Sequence, residues 1–170
     1  MNTNLDRFSE DYAIMFYNMD HANRGFFDNL EPEHLPYTYE QVMDMTNEQF
    51  EECHDFIQWL FPTKTLSNFN PIAPVVTDFF YNNIRKDRAI EATRKMCSFL
   101  GFSLYSPIIN YNRVKEWWSD ENHNTLRVTR MLQFLEGCKF YYELEFIKYK
   151  LDICEHKFGK LKSSEYWFNV

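Results

Sequence analysis

The sequence predicts an all-α fold: a bundle of about six or seven helices forming a single domain over residues 1–170, joined by long, ordered, proline-containing connectors. Three observations predict it. Phe140, Leu144, Ile147, Leu151, Cys154 and Phe158 recur at alternating steps of four and three, which is one buried stripe on a long helix. No segment alternates apolar and polar residues as a half-buried strand does. With 170 residues, 45% hydrophobic and 19% aromatic content and only four glycines, the chain can close one core of its own.

The elements follow in order. Leu5, Phe8, Tyr12, Met15 and Phe16 place a first helix over residues 5–17. Residues 18–39, with Gly25, Pro32 and Pro36, show no sustained period. They are expected to form an ordered loop, because Phe26, Phe27 and Leu30 are costly to leave in water. Residues 39–45 make a short helical turn, and Thr46 caps the next helix, with Gln49 three residues on as a capping box requires. From that cap Phe50, Cys53, Ile57 and Leu60 share one stripe, so a single helix is expected to run until Pro62 stops it. Off the stripe, Trp59 packs between helices or anchors a partner, and Gln58 is expected to hydrogen-bond the connector that follows.

That connector, residues 63–74, contains Pro71 and Pro74 directly after Pro62 and has neither period, so it should hold a rigid irregular path. Thr77 or Asp78 then caps a helical region in which Ala89, Ala92, Met96 and Phe99 repeat, with Gly101 as its stop. Residues 103–110 turn at Pro107. A short helix over 113–119 carries Trp117 and Trp118, one of which is expected to stay exposed. Leu126, Val128, Met131, Leu132 and Leu135 mark the next helix, ended by Gly137, and Gly159 closes the long stripe that follows it. Residues 163–170 form a last turn with Tyr166, Trp167 and Phe168 docking on the bundle.

Charge is unevenly distributed. The net charge is −7, but residues 1–60 hold 13 acidic against 2 basic side chains, and the remainder of the chain is net positive. An acidic first half orients a basic protein partner and repels nucleic acid, so direct nucleic-acid binding is not expected. Asp20, Asp28, Glu31 and Glu33 are the candidate partner-binding residues of this face, with a merely solvated surface as the plainer alternative. No apolar run approaches the length of a membrane span, and the N-terminus lacks the layout of a secretion signal, so a cytoplasmic protein is expected. The four cysteines form no Cys-x-x-Cys pair and read as reduced core thiols. The five histidines have no metal-ligand spacing, and no metal or cofactor is expected.

Several blocks carry a resemblance. HDFIQWLFP over 54–62, SNFNPIAPVVT over 67–77, FLG over 99–101 and NHNTLRVTRMLQFL over 122–135 stand in the order seen in the opioid growth factor receptor conserved-domain family. The chain resembles its short, domain-only members of bacterial or phage type. The resemblance covers nearly the whole chain and implies an all-α domain with no established reaction.

Tested for chemistry, the sequence offers little to an enzyme. His54 and Asp55 are adjacent and point about 100° apart on a helix, so they form no relay. Asn124, Arg127 and Arg130 share a helix face and, with Trp59 nearby, are the candidate site for a carboxylate or phosphate. The competing expectation is that both arginines pair with the acidic half, at Glu51 or Asp55, and only fix the packing. The leading expectation is therefore a non-enzymatic interaction module, a small acidic regulator or inhibitor of another protein. The alternative is a domain that binds a peptide or small anion at Arg127 and Arg130.

Overall fold

A computed structural model describes residues 18–32 and 34–170, and within them helices joined by irregular segments make up the chain, with no strand. The helix expected over residues 5–17, and Glu33, lie outside the described residues. Ten helical segments are present among the described residues, more than the expected six or seven, because two expected helices are each broken into two and a further helix occupies a stretch expected to be loop.

Residues 18–27, expected as loop, are helical and are labelled α1. Phe26 and Phe27 are buried as expected, whereas Leu30 is exposed. The period was hidden because the inward face of α1 also carries Asp20 and Asn23, both buried. The Asp20 carboxylate accepts the backbone N–H of Thr77 at 2.9 Å and the Thr77 hydroxyl. Asn23 Nδ2 donates to the Trp59 carbonyl at 3.2 Å. Polar groups can line a core face when they satisfy backbone groups of neighbouring segments.

Helix α2 (Tyr39–Met43) and α3 (Asn47–Glu52) each begin with a capping box, Thr38 with Gln41 and Thr46 with Gln49. The expected single helix to Pro62 does not form. Cys53 is extended at φ −81° and ψ 124°, and the chain re-enters helix only at α4 (Ile57–Leu60). Phe50, Ile57 and Leu60 still reach the core, but from two helices. The connector follows a bridged path, Thr63 pairing with Val75, and exposes Leu66, Phe69 and Ile72.

The region expected as one helix up to Leu100 is α5 (Asp78–Asn83) and α6 (Lys86–Leu100), interrupted where Ile84 and Arg85 are extended. Gly101 ends α6 in the left-handed region at φ 96°, where a Cβ would meet the Asn110 carbonyl at 2.9 Å. A single bridge between Phe102 and Ile109 closes the Pro107 turn, and Lys150, reaching in from the long C-terminal helix, donates to the carbonyls of Ser103 and Ser106 inside it. In α7 (Tyr111–Trp117) both tryptophans are buried, against expectation. Trp118 lies just past the helix at ψ 74°, so the chain turns and points both rings inward. Trp117 Nε1 donates to the Leu100 carbonyl and Trp118 Nε1 to that of Gly159.

Helix α8 (Asn124–Gly137) is the centre of the molecule, packed against α9 (Tyr141–Phe158) and α10 (Ser164–Trp167). Its Phe134 ring gathers those of Phe27, Phe61 and Tyr81 at 6.4, 5.5 and 6.2 Å. Of the three aromatic residues in the tail only Trp167 docks fully, donating to Thr129 Oγ at 2.8 Å, and Tyr166 and Phe168 stay in solvent. Cys97, Cys138 and Cys154 are free and buried, and Cys53 is free and half-buried.

Candidate functional site

The HDFIQWLFP block and α8 face one another, and the connector folds over the gap between them. His54, Ile57 and Gln58 form one wall, Leu66 to Phe69 a second, and His123, Leu126, Arg127, Thr129, Arg130 and Gln133 the third. They enclose a cleft of about 470 Å³. Helical spacing explains the third wall, since residues 123, 126, 127, 130 and 133 fall on one stripe of α8.

The two candidate arginines have different roles. Arg127 is only 4% exposed. Its Nη1 donates to the Phe50 carbonyl at 2.7 Å and its Nη2 to the carbonyls of Cys53 at 2.9 Å and Glu51 at 3.5 Å. These are the orphan carbonyls at the C-terminal end of α3, so a guanidinium from another helix caps it. The rings of Phe50, Phe56 and Phe99 surround that guanidinium at 5.7 to 5.9 Å. This is also why the expected continuous helix breaks at Cys53: carbonyls that would serve the next helical turn serve Arg127 instead.

Beside it, Glu51 accepts from Arg113 at 3.0 Å and from Asn124 Nδ2 at 3.1 Å, and faces His123 Nε2 at 3.2 Å. Burial alone would raise the Glu51 carboxyl, but the hydrogen bonds from Arg113 and Asn124 outweigh it and hold it below the usual range. Burial, then the nearby positive charge of Arg127, push His123 below its ordinary value, so its ring is neutral at neutral pH. The His54 and His123 rings lie 4.7 Å apart at the cleft mouth. The expected pairing of Arg127 and Arg130 with Glu51 or Asp55 is not made among the described residues: Arg127 binds backbone carbonyls, and the Glu51 carboxylate is taken by Arg113 and Asn124.

Arg130 is unpaired. Its Nε and Nη2 are buried and have no hydrogen-bond partner, and it makes no ion pair among the described residues. Burial lowers its pKa to about 10, which leaves it charged at neutral pH. On the facing wall Gln58 is 8% exposed and its Oε1 also has no partner; its amide makes no hydrogen bond to the connector carbonyls among the described residues, unlike the expectation. Trp59 is buried in the core and does not line the cleft, which removes it from the candidate set. Asn124 is fully buried on Glu51 and is likewise structural.

The acidic candidates also divide. Asp20 is buried on Thr77, so it is no part of a partner surface. Asp28 and Glu31 are exposed and make no ion pair among the described residues. The sequence pointed to the arginine face but not to Gln58 or to the exposed Leu66 and Phe69 as its other walls. Their contribution depends on how the connector folds back, which no local spacing encodes.

Comparison with known proteins bears on the same blocks. The family model for the opioid growth factor receptor (OGFr) conserved region matches residues 10–170. The chain belongs to this family. Two relatives named opioid growth factor receptor-like protein 1, from Mus musculus and Rattus norvegicus, are each 29% identical over 134 residues, or 70% of this chain. The chain spans 29% of the length of each of these relatives. No solved structure matches it. Two of the blocks that carried the family resemblance therefore have a structural meaning in this OGFr domain: HDFIQWLFP supplies one wall of the cleft, and NHNTLRVTRMLQFL supplies another together with the arginine that caps α3.

Proposed function

We propose that this OGFr domain is a non-enzymatic, cytoplasmic protein-binding module whose working site is the cleft between α4, the connector and α8, where Arg130 receives an anionic group of the partner. The observation that carries the reading is a charged guanidinium in a cleft with two buried, unpartnered donors. An isolated buried charge is destabilising unless something pairs with it, so its retention favours an external anion. Family membership and the receptor-like names of the relatives support binding of another molecule. Binding without catalysis is supported by the hydroxyls of the cleft. Ser67 Oγ accepts from the Asn70 N–H, Thr129 Oγ donates to the Thr125 carbonyl, and neither is bonded to a histidine. Free buried thiols support a reducing compartment, and no described helix is long and apolar enough to cross a membrane.

Selection of a random peptide display library on the purified protein, in parallel with Arg130→Met, tests this. Enriched peptides sharing an anionic feature and lost with Arg130→Met support the reading. No enrichment, or enrichment indifferent to Arg130, refutes it.

A second reading rests on Asp28 and Glu31, exposed and without ion pairs: an acidic face that occupies a basic groove on another protein, as a small regulator or inhibitor would. Its test is the double substitution Asp28→Lys with Glu31→Lys, which should abolish binding to a captured basic partner while leaving helicity and cleft binding unchanged. Retained binding to that partner refutes it.

A further inference from the structure

The cleft contains more than one unpartnered group, and the combination narrows what can fill it. Resting on the proposed anion site, we infer that the occupant is the C-terminal end of a polypeptide, its free α-carboxylate on Arg130, its last amide N–H given to Gln58, and its last side chain apolar.

Charge argues first. Among the described residues lining the cleft, Arg130 is the one cation whose donors are unspent, since those of Arg127 are committed to three carbonyls of α3 and its C-terminal cap. His123 is neutral at neutral pH. Arg127 keeps its charge, since its partners are neutral carbonyls, but its nitrogens are spent on them, so the hydrogen bonds to the anion come from Arg130. The unpartnered Nε and Nη2 are also the two nitrogens of the guanidinium edge that grips a carboxylate in a fork.

Gln58 adds the second requirement. Its unpartnered atom is the amide oxygen, so a ligand that brings a donor beside its anion satisfies Gln58 as the side chain lies. A phosphate ester or a second carboxylate oxygen would meet Gln58 Oε1 as acceptor against acceptor. The final residue of a polypeptide carries both groups on one Cα: the carboxylate and the amide N–H two bonds away. An internal Asp or Glu places additional carbons between them.

The rim supplies the third. Leu66, Phe69 and Leu126 are 70%, 82% and 49% exposed around the opening, an apolar lip beside a polar floor. Among the described residues the backbone N–H groups of residues 66–69 make no hydrogen bond, so this irregular, bent segment leaves donors for the carbonyls of a peptide. Because no bond holds either the Arg130 guanidinium or the Gln58 amide inward, both can swing toward a ligand without breaking an interaction.

The test is a titration of the isotope-labelled protein followed by NMR at the Arg130 Nε–H and the Gln58 side-chain amide. The probe is N-acetyl-tetraglycyl-leucine as its free acid, compared with its C-terminal amide, N-acetyl-leucine, N-acetyl-aspartate amide and phenyl phosphate. The free acid should shift both signals saturably, and its amide should bind at least about tenfold more weakly, the worth of one charge-assisted hydrogen bond. Arg130→Met should abolish the response and Gln58→Leu should weaken it, in proteins whose circular dichroism is unchanged. Tighter binding of the aspartate amide or phenyl phosphate overturns the C-terminus while leaving the anion site standing, and equal binding of acid and amide overturns both. N-acetyl-leucine binding as tightly as the longer probe overturns the polypeptide. No response at Arg130 to any anion overturns both.

Discussion

Arg127 and Arg130 stand one helical turn apart on α8, yet replacing each with methionine should have opposite effects on stability. Arg127→Met removes the donors to Phe50 O at 2.7 Å and Cys53 O at 2.9 Å, and the longer one to Glu51 O. Each buried carbonyl left without a partner costs about 1–3 kcal/mol, while methionine packs acceptably against the three phenyl rings and removes the burial cost of the charge, for a net loss of about 2–4 kcal/mol. That is a large share of the roughly 5–15 kcal/mol by which a domain is stable. At about 2–4 °C per kcal/mol for a chain of this size, the thermal midpoint should fall by about 5–15 °C. Arg130→Met removes a buried charge that has no partner, so stability should stay level or rise by about 0–2 kcal/mol. Thermal and urea unfolding followed by circular dichroism measures both. A loss in Arg130→Met equal to that in Arg127→Met would refute the division of roles, as would an Arg127→Met protein within about 0.5 kcal/mol of the parent.

Further outcomes follow from other contacts. Asp20→Asn should cost about 1.5–3 kcal/mol, since a buried carboxylate receiving two donors from Thr77 is replaced by an amide able to accept through one oxygen only; the urea midpoint and loss of exchange protection at the Thr77 amide are the measurements. Gly137→Ala, which would ordinarily stabilise a helix by up to about 1 kcal/mol, should instead destabilise by about 1–3 kcal/mol. Its Cβ would lie 2.5 Å from a Tyr81 ring that is held by a 3.0 Å hydrogen bond to the Pro62 carbonyl. Calorimetry decides the sign.

Acidification should destabilise the fold in two stages. His123 is depressed from 6.5, so below that pH the unfolded chain takes up a proton the folded chain resists; Glu51, depressed from 4.5, does the same below that value. In both stages the unfolded state binds more protons, so stability falls with pH, and His123→Gln should flatten the upper stage while leaving the lower. His156, raised by its bond to Asp152, acts in the opposite sense over the same window, so the check is the difference between proteins: equal midpoint changes between about pH 7 and pH 5.5 in the parent and in His123→Gln would contradict this.

The long stripe from Phe140 to Phe158, the Thr46 capping box and the Gly101 stop are where the sequence places them, because each depends on contacts within a few residues. The class of fold and the family were legible for the same reason. What the spacing misread was set by distant partners. The helix expected to run from Thr46 to Pro62 obeys its period, but the carbonyls of Phe50 and Cys53 are taken by Arg127, more than 70 residues on. Helix α1 was obscured by Asp20 and Asn23, which sit inside only because Thr77 and Trp59 need them there.

The arginine face shows both limits together. Helical periodicity alone placed Arg127 and Arg130 on one side of α8. Which of them is spent and which is free was decided by the tertiary structure, since a hydrogen bond forms only with the acceptor within reach. The end of α3 lies within reach of Arg127, whereas Arg130 Nε and Nη2 meet no acceptor among the described residues.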